Sequence, residues 1–249
     1  MKKLSIWKWD GIGLPTDKYG FQPVNFIAEG NALTVDDQIV RIADTVAGLG
    51  MLESVLVNCE KWGKLNLVNA IRCAIAARSA NDFANVGIYL PQVNGDKWAI
   101  CGKVASVKDH ATAIQHVNDT IRALSPHVDF WPVDLFDSDN DDGTPIQFNG
   151  LTPDSTWEVI ATRRVSMLEH TDKPWWGIIG VKSIPGKDAT TSRALTADQL
   201  YARAQWCRDN GAEACVVMVW DDARKKHQGV GSVALTPEID RALKNIAQL

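Results

Sequence analysis

No apolar run in this 249-residue chain approaches the roughly 20 residues that cross a bilayer, so a membrane-spanning helix is excluded. Lys2 and Lys3 are followed by only Leu4-Ser5-Ile6-Trp7 before charge returns, too short for a signal peptide. That pattern reads as cytoplasmic synthesis without a signal peptide, with the final location left open. There is no dense Lys/Arg cluster, and 26 basic against 30 acidic residues leave a net charge of -4. This argues against nucleic acid or an anionic membrane as main partner. The five cysteines (Cys59, Cys73, Cys101, Cys207, Cys215) are scattered without paired ligand spacing, as expected of reduced, buried thiols. The five histidines form no His-x-x-x-His pair, so no metal site is expected. Gly11-Ile12-Gly13 lacks the third glycine and following helix of a dinucleotide fingerprint, and no P-loop exists, so no cofactor is expected. A Gly-x-Ser-x-Gly elbow is missing too, which removes the usual serine-hydrolase signature.

What is present is apolar material for one large core: 45% of residues are hydrophobic and 22% charged. The length suits a single α/β domain over residues 1–249. Leu4 to Asp10 reads as a first strand that alternates sharply. Either Lys8 and Asp10 face inward as site groups, or Trp7 and Trp9 do as filling or a sugar platform. Val24 to Ala28 is a second strand. Thr34 caps a helix whose inner face is Ile39, Ile42, Ala43 and Val46, with Asp37 three positions on in an imperfect capping box. Ser54 to Asn58 is a strand, and Leu65 to Ala80 a helix with Leu67, Ala70, Ile71, Ala74 and Ile75 inward. Val86 to Leu90 is the next strand, and Ala99 to Val104 an apolar run without an assigned element. A helix over Lys108 to Leu124 (Ala113, Ile114, Val117, Ile121 and Leu124 inward) leads to a strand from Val128 to Phe136. Trp157 to Glu169 and Thr196 to Asn210 are helices, the second stopped by Gly211; Trp175 to Val181 and Ala214 to Trp220 are strands. A helix from Thr236 to Gln248, with Pro237 in its first turn, closes the chain. Strand and helix alternate without internal repeats. The expected architecture is a (β/α)8-type barrel (a TIM barrel) with irregular or missing units, an open doubly wound sheet being the alternative.

In a barrel the catalytic groups sit where strands end. The buried-looking run Ser54-Val55-Leu56-Val57 stops at Asn58 and Glu60, two polar residues of one parity. Either an active site begins there or the strand has simply ended with Glu60 solvated. The other strand ends supply Asp10, Tyr89, Gln92, Asp134, Asp137, Lys182, Trp220 and Asp221, with Trp62, Trp98 and Trp131 close by. Carboxylates and amides bind hydroxyls and move protons, while aromatic faces accept the C–H side of sugars. Glycoside hydrolysis needs little more. Of the ten tryptophans, about half, Trp157 and Trp206 included, are expected to serve packing instead. Residues 137 to 143, Asp-Ser-Asp-Asn-Asp-Asp-Gly, mimic a calcium loop, but the glycine is one place late and position twelve is Phe148, so a solvated acidic loop is the better reading.

Val57-Asn58-Cys59-Glu60-Lys61-Trp62 resembles the catalytic strand of hyaluronidase-type glycoside hydrolases, which ends in Asp-x-Glu, and that of endo-β-N-acetylglucosaminidases with Asn-x-Glu. The resemblance implies a substrate-assisted retaining mechanism on an N-acetylhexosamine-containing oligo- or polysaccharide. Glu60 would be the acid/base, Asn58 the group holding the 2-acetamido, and Trp220 the aromatic floor. Tyr89 and Asp134 would be further pocket residues by position; alternatively Asp134, or Asp221, is the second catalytic carboxylate beside Glu60 in a conventional pair, about 5 Å away if retaining and more than about 6.5 Å if inverting. Trp62, Trp131, Asp10, Asp221 and Gln92 are candidate sugar contacts by position. Asn58 carries no charge where the first family has Asp, which favours the Asn-x-Glu variant. Two rival readings stand beside this one: a catalytically silent barrel binding carbohydrate or serving as a subunit of a larger assembly, and a lyase or aldolase forming a Schiff base on Lys8 or Lys182.

Overall fold

The computed structural model describes residues 3–8, 19, 22–27, 34–51, 53–59, 67–89, 97–100, 103–106, 110–135, 138–139, 157–166, 168, 171–180, 184–185, 195–218 and 237–249. Strands β1 (Lys3–Lys8), β2 (Gln22–Ile27), β3 (Ser54–Asn58), β4 (Asn85–Tyr89), β7 (Trp131–Asp134), β9 (Trp175–Gly180) and β11 (Ala214–Met218) alternate with helices α1 (Val35–Ala47), α2 (Leu67–Ala80), α3 (His110–Leu124), α4 (Trp157–Ser166), α5 (Ala197–Asp209) and α6 (Pro237–Ile246). Strands β5 (Lys97–Ile100) and β6 (Lys103–Ser106) pair antiparallel across the run that had no assigned element, and β8 (Ser138–Asp139) pairs with β10 (Ile184–Pro185). The chain is therefore α/β with parallel principal strands.

The described residues fall into two compact units: Met1–Val24, Val133–Ile146 and Trp176–Leu249 form one, and Asn25–Pro132 with Gln147–Trp175 the other. In the first, β11 is central, parallel to β1 (Lys3 opposite Ala214, Ile6 opposite Val217) and to β9 (Ala214 opposite Trp176, Met218 opposite Gly180). Ala214, Cys215, Val216 and Val217 are all fully buried, as a parallel strand covered on both faces requires. Helix α6 buries Ile239, Ala242, Leu243 and Ile246, the i, i+3, i+4, i+7 stripe of an amphipathic helix, and packs against α5. Tyr19 donates its hydroxyl proton to Asp240, which also pairs with Lys244 at 2.8 Å. The Trp176 indole N–H donates to Glu213 at 3.2 Å, which allows so large a ring to be buried without an orphaned donor.

Helix α5 begins and ends as its sequence indicates. The Thr196 hydroxyl accepts from the Gln199 N–H, and the Gln199 side chain accepts from the Thr196 N–H. At the other end Ala212 N–H reaches Cys207 O at 2.9 Å and Gly211 N–H reaches Arg208 O at 3.2 Å, a Schellman ending with Gly211 at φ +84°. Nothing lies within 4 Å of a Cβ placed on Gly211, so a side chain there meets no neighbour and is penalised only by backbone conformation.

In the second unit β2, β3 and β4 are neighbours, and β3 and β4 run parallel with Ser54 opposite Asn85 and Asn58 opposite Tyr89. The reciprocal capping box at Thr34 and Asp37 is present, and the Thr34 hydroxyl and N–H beside it hold the Asp37 carboxyl below its ordinary pKa. The inner face of α2 is rotated from the expected one. Ala70, Cys73, Ala74 and Ala77 are buried and Ile75 is 44% exposed, because the small side chains let α2 lie close against α1. On α1 Gln38, Ile42 and Val46 are the buried residues. On α3 Ile121 and Leu124 are buried as expected, while Ala113, Ile114 and Val117 lie outside the residues whose side chains are described. The strand expected from Val128 begins only at Trp131, since Pro126 at the start of a 3-10 turn, Ser125–His127, prolongs the helical segment. Asp129 then accepts from the Val86 N–H and pairs with Arg78, joining this turn to β4 and α2.

Gly211→Ala is expected to lower stability by about 1 kcal/mol, the cost of placing a Cβ at positive φ. Gly48→Ala, at φ -82° with only ordinary contacts, should be near neutral. Urea unfolding of the two variants measures the difference.

Candidate functional site

Three of the residues singled out by sequence have described side chains: Asn58, Tyr89 and Trp131. Asn58 and Tyr89 end adjacent parallel strands directly opposite one another, so they share a face of the sheet. Cys59 extends the ladder one step, its N–H donating to Tyr89 O at 2.8 Å. Residues 54 to 57 are buried, whereas Asn58 and Tyr89 are half-buried, so solvent-accessible polarity begins where β3 and β4 end. Cys59 is fully buried, in keeping with its opposite parity.

One step back along the same face the floor is apolar and tightly packed. Phe130 is bridged to Gly87, and a Cβ on Gly87 would lie 2.5 and 2.6 Å from ring atoms of Phe130 and 3.0 Å from Leu56. Only glycine lets the ring sit there; an isolated glycine in a β-branched strand is the sequence signal for such a close approach. Phe26 of β2 completes the face, its ring edge to face with Tyr89, with centroids 6.3 Å apart and planes at 84°. Neither Phe26 nor Phe130 was singled out by sequence. An aromatic ring set among apolar strand residues reads as core until its partner on another strand is known.

Trp131 is not with this group. The pairing of Phe130 with Gly87 puts Trp131 on the opposite face, shared with Val86 and Ile88, where it is 4% exposed. Its indole N–H finds no acceptor among the described residues. Asp134 ends β7, but its side chain is outside the described set. Glu60, Trp62, Gln92, Asp10, Trp220 and Asp221 lie outside the described residues, as do Asp137 and Lys182; Lys8 is described only as part of β1. The acidic loop is described only at Ser138 and Asp139.

Elsewhere, in the first unit, a groove of about 540 Å³ runs between α5 and α6, lined by Asp198, Tyr201, Arg241 and Asn245 over Ile239 and Ala242. No residue singled out from the sequence lines it. No group of three or more His, Cys, Asp or Glu among the described residues could hold a metal ion. No helix among them is long and apolar enough to cross a membrane. Cys59, Cys73, Cys207 and Cys215 are buried and outside any disulfide. The neighbouring Cys207 thiol, followed by burial, pushes the Cys215 thiol well above its ordinary pKa, so it stays protonated and unreactive.

No protein-family model matches the chain, and no curated protein sequence does. Among solved structures it is similar to a D-psicose 3-epimerase in the presence of D-fructose, with 8% identity over 99% of this chain and 97% of that one and a TM-score of 0.34. Alpha-L-fucosidase isoenzyme 1 from Paenibacillus thiaminolyticus is 10% identical over 99% of this chain and 73% of its own, with a TM-score of 0.28. A bacterial fucosidase with a monovalent iminocyclitol inhibitor is 11% identical over 100% and 77%, with a TM-score of 0.29. Likenesses this distant carry no argument about fold or chemistry. None of these comparisons supports the hyaluronidase-like or endo-β-N-acetylglucosaminidase-like resemblance read from residues 57–62 and Trp220.

Two outcomes follow from this packing. Gly87→Ala should cost about 1–3 kcal/mol in urea unfolding, as over-packing does when a buried ring must move. Of the chain's five cysteines, four are buried thiols outside any disulfide, so the native protein should release no more than one equivalent of thiol to Ellman's reagent, from Cys101, and all five only after denaturation.

Proposed function

We propose that this chain is a barrel-type glycosidase acting on an N-acetylhexosamine-containing glycan. The observation that carries the reading is the end of β3. Four buried residues give way to a half-buried carboxamide, Asn58, in register with a half-buried phenol, Tyr89, on one face. A carboxamide and a phenol at neighbouring C-terminal strand ends are groups that bind the amide and hydroxyls of an amino sugar. If the alternation of the sequence continued by one pleat, Glu60 would come to the same side as Asn58.

In this mechanism Glu60 protonates the glycosidic oxygen as the bond to the anomeric carbon breaks. The substrate's own acetamido oxygen attacks that carbon, and Asn58 orients the acetamido group by hydrogen bonding. Glu60 then takes a proton from the water that opens the cyclic intermediate, which regenerates the acid and retains configuration. Trp220 serves as the sugar floor in this reading, and Asp134 and Asp221 as polar contacts.

Glu60→Gln should lower turnover of chitin, peptidoglycan or hyaluronan fragments by about 10²- to 10⁴-fold. Asn58→Ala should lower kcat by about 10²-fold through loss of an aligned donor. Reducing-end release from the fragments is the measurement. Wild-type protein that binds these glycans without cleaving them, with binding unchanged in Glu60→Gln, would instead identify a catalytically silent binding barrel.

A further inference from the structure

The glycosidase reading uses Asn58 and the Tyr89 phenol, and leaves Phe26, whose ring meets Tyr89, without a role. Phe26 is the next-to-last residue of β2 and Tyr89 the last of β4, and β3 lies between those strands. Backbones two strands apart are separated by about 9–10 Å, yet the two ring centroids are only 6.3 Å apart. The rings therefore lean toward one another across β3. They do so on the side that bears Asn58, because Tyr89 and Asn58 are directly opposite in the ladder. Phe26 is 9% exposed and Tyr89 half-buried, so the inner ring is fixed by packing and the outer one reaches solvent.

An edge-to-face contact with an immobile partner restricts both side-chain torsions of the outer ring. We propose that Phe26 is a positioning residue: it holds the Tyr89 ring as the wall of a sugar subsite, with the apolar face of a pyranose against the phenol ring and its polar substituents toward Asn58. The assignment rests on the glycosidase reading for its ligand, and on the described geometry alone for the ring contact.

The chain has only three tyrosines, Tyr19, Tyr89 and Tyr201, so labelling with 3-fluorotyrosine gives three fluorine resonances, and Tyr89→Phe identifies one of them. N,N′-diacetylchitobiose is the probe. In wild-type protein the Tyr89 resonance is expected to shift on titration. In Phe26→Leu, before any sugar is added, that resonance should move while those of Tyr19 and Tyr201 stay. Half-saturation by the disaccharide should then need about two- to tenfold more ligand, with kcat unchanged. Phe26→Tyr, which keeps a ring at the position, should restore the wild-type affinity. Should Phe26→Leu fail to fold, Phe26→Met makes the same comparison.

A Tyr89 resonance identical in wild type and Phe26→Leu overturns the proposal, and so does unchanged sugar affinity despite a moved resonance. Wild-type protein whose Tyr89 resonance ignores the disaccharide removes the subsite and its ligand, while the sugar-free comparison still decides whether Phe26 holds the ring.

Discussion

Phe130 and Leu56 close on Gly87 at distances that admit no added methyl group, and the candidate site of the second unit depends on that packing. It brings the residue before β7 beside β4, where Gly87 and Phe130 form an isolated parallel bridge. It also closes the sheet face below Asn58 and Tyr89 with buried apolar side chains, so that polarity on this face appears at the strand ends. Asp129, the residue before the ring, is tied to Val86 and Arg78, so the aromatic contact is reinforced by a charge-assisted bond next to it.

Stability and chemistry are divided along the strands accordingly. The middles of β3 and β4 carry buried aliphatic residues, and their last residues carry the carboxamide and the phenol. A parallel ladder makes this arrangement natural, because every strand ends in the same direction and terminal side chains of equal parity collect on one face. The buried thiols belong to the packing half of this division: Cys207 and Cys215 fill a helix–strand contact of the first unit, where both are buried and Cys215 is held protonated.

Much of the element order was legible from local signals. Thr34 with Asp37, Thr196 with Gln199, and Gly211 act within a few residues of chain, so their hydrogen bonds follow wherever those residue types occur at those spacings. Helix faces were less legible. Hydrophobicity pointed Ile75 inward, whereas close approach of α1 favoured the alanines and Cys73 and turned Ile75 outward. Trp131 illustrates the same limit at the site, since its place near a strand end suggested a sugar contact and its pairing register sends it to the other face. Trp157 and Trp206, expected as packing residues, are half-buried on their helices.

By itself the sequence determined that the chain alternates strands and helices, where several helices start and stop, and that Asn58 closes a buried strand, because these depend on periodicity and on contacts a few residues apart. Only the tertiary structure decided that Asn58 meets Tyr89, that Phe26 reaches Tyr89 across β3, and that Gly87 makes room for Phe130. Each of those joins residues far apart in the chain, through strand order and register, and no local preference encodes which strand becomes whose neighbour.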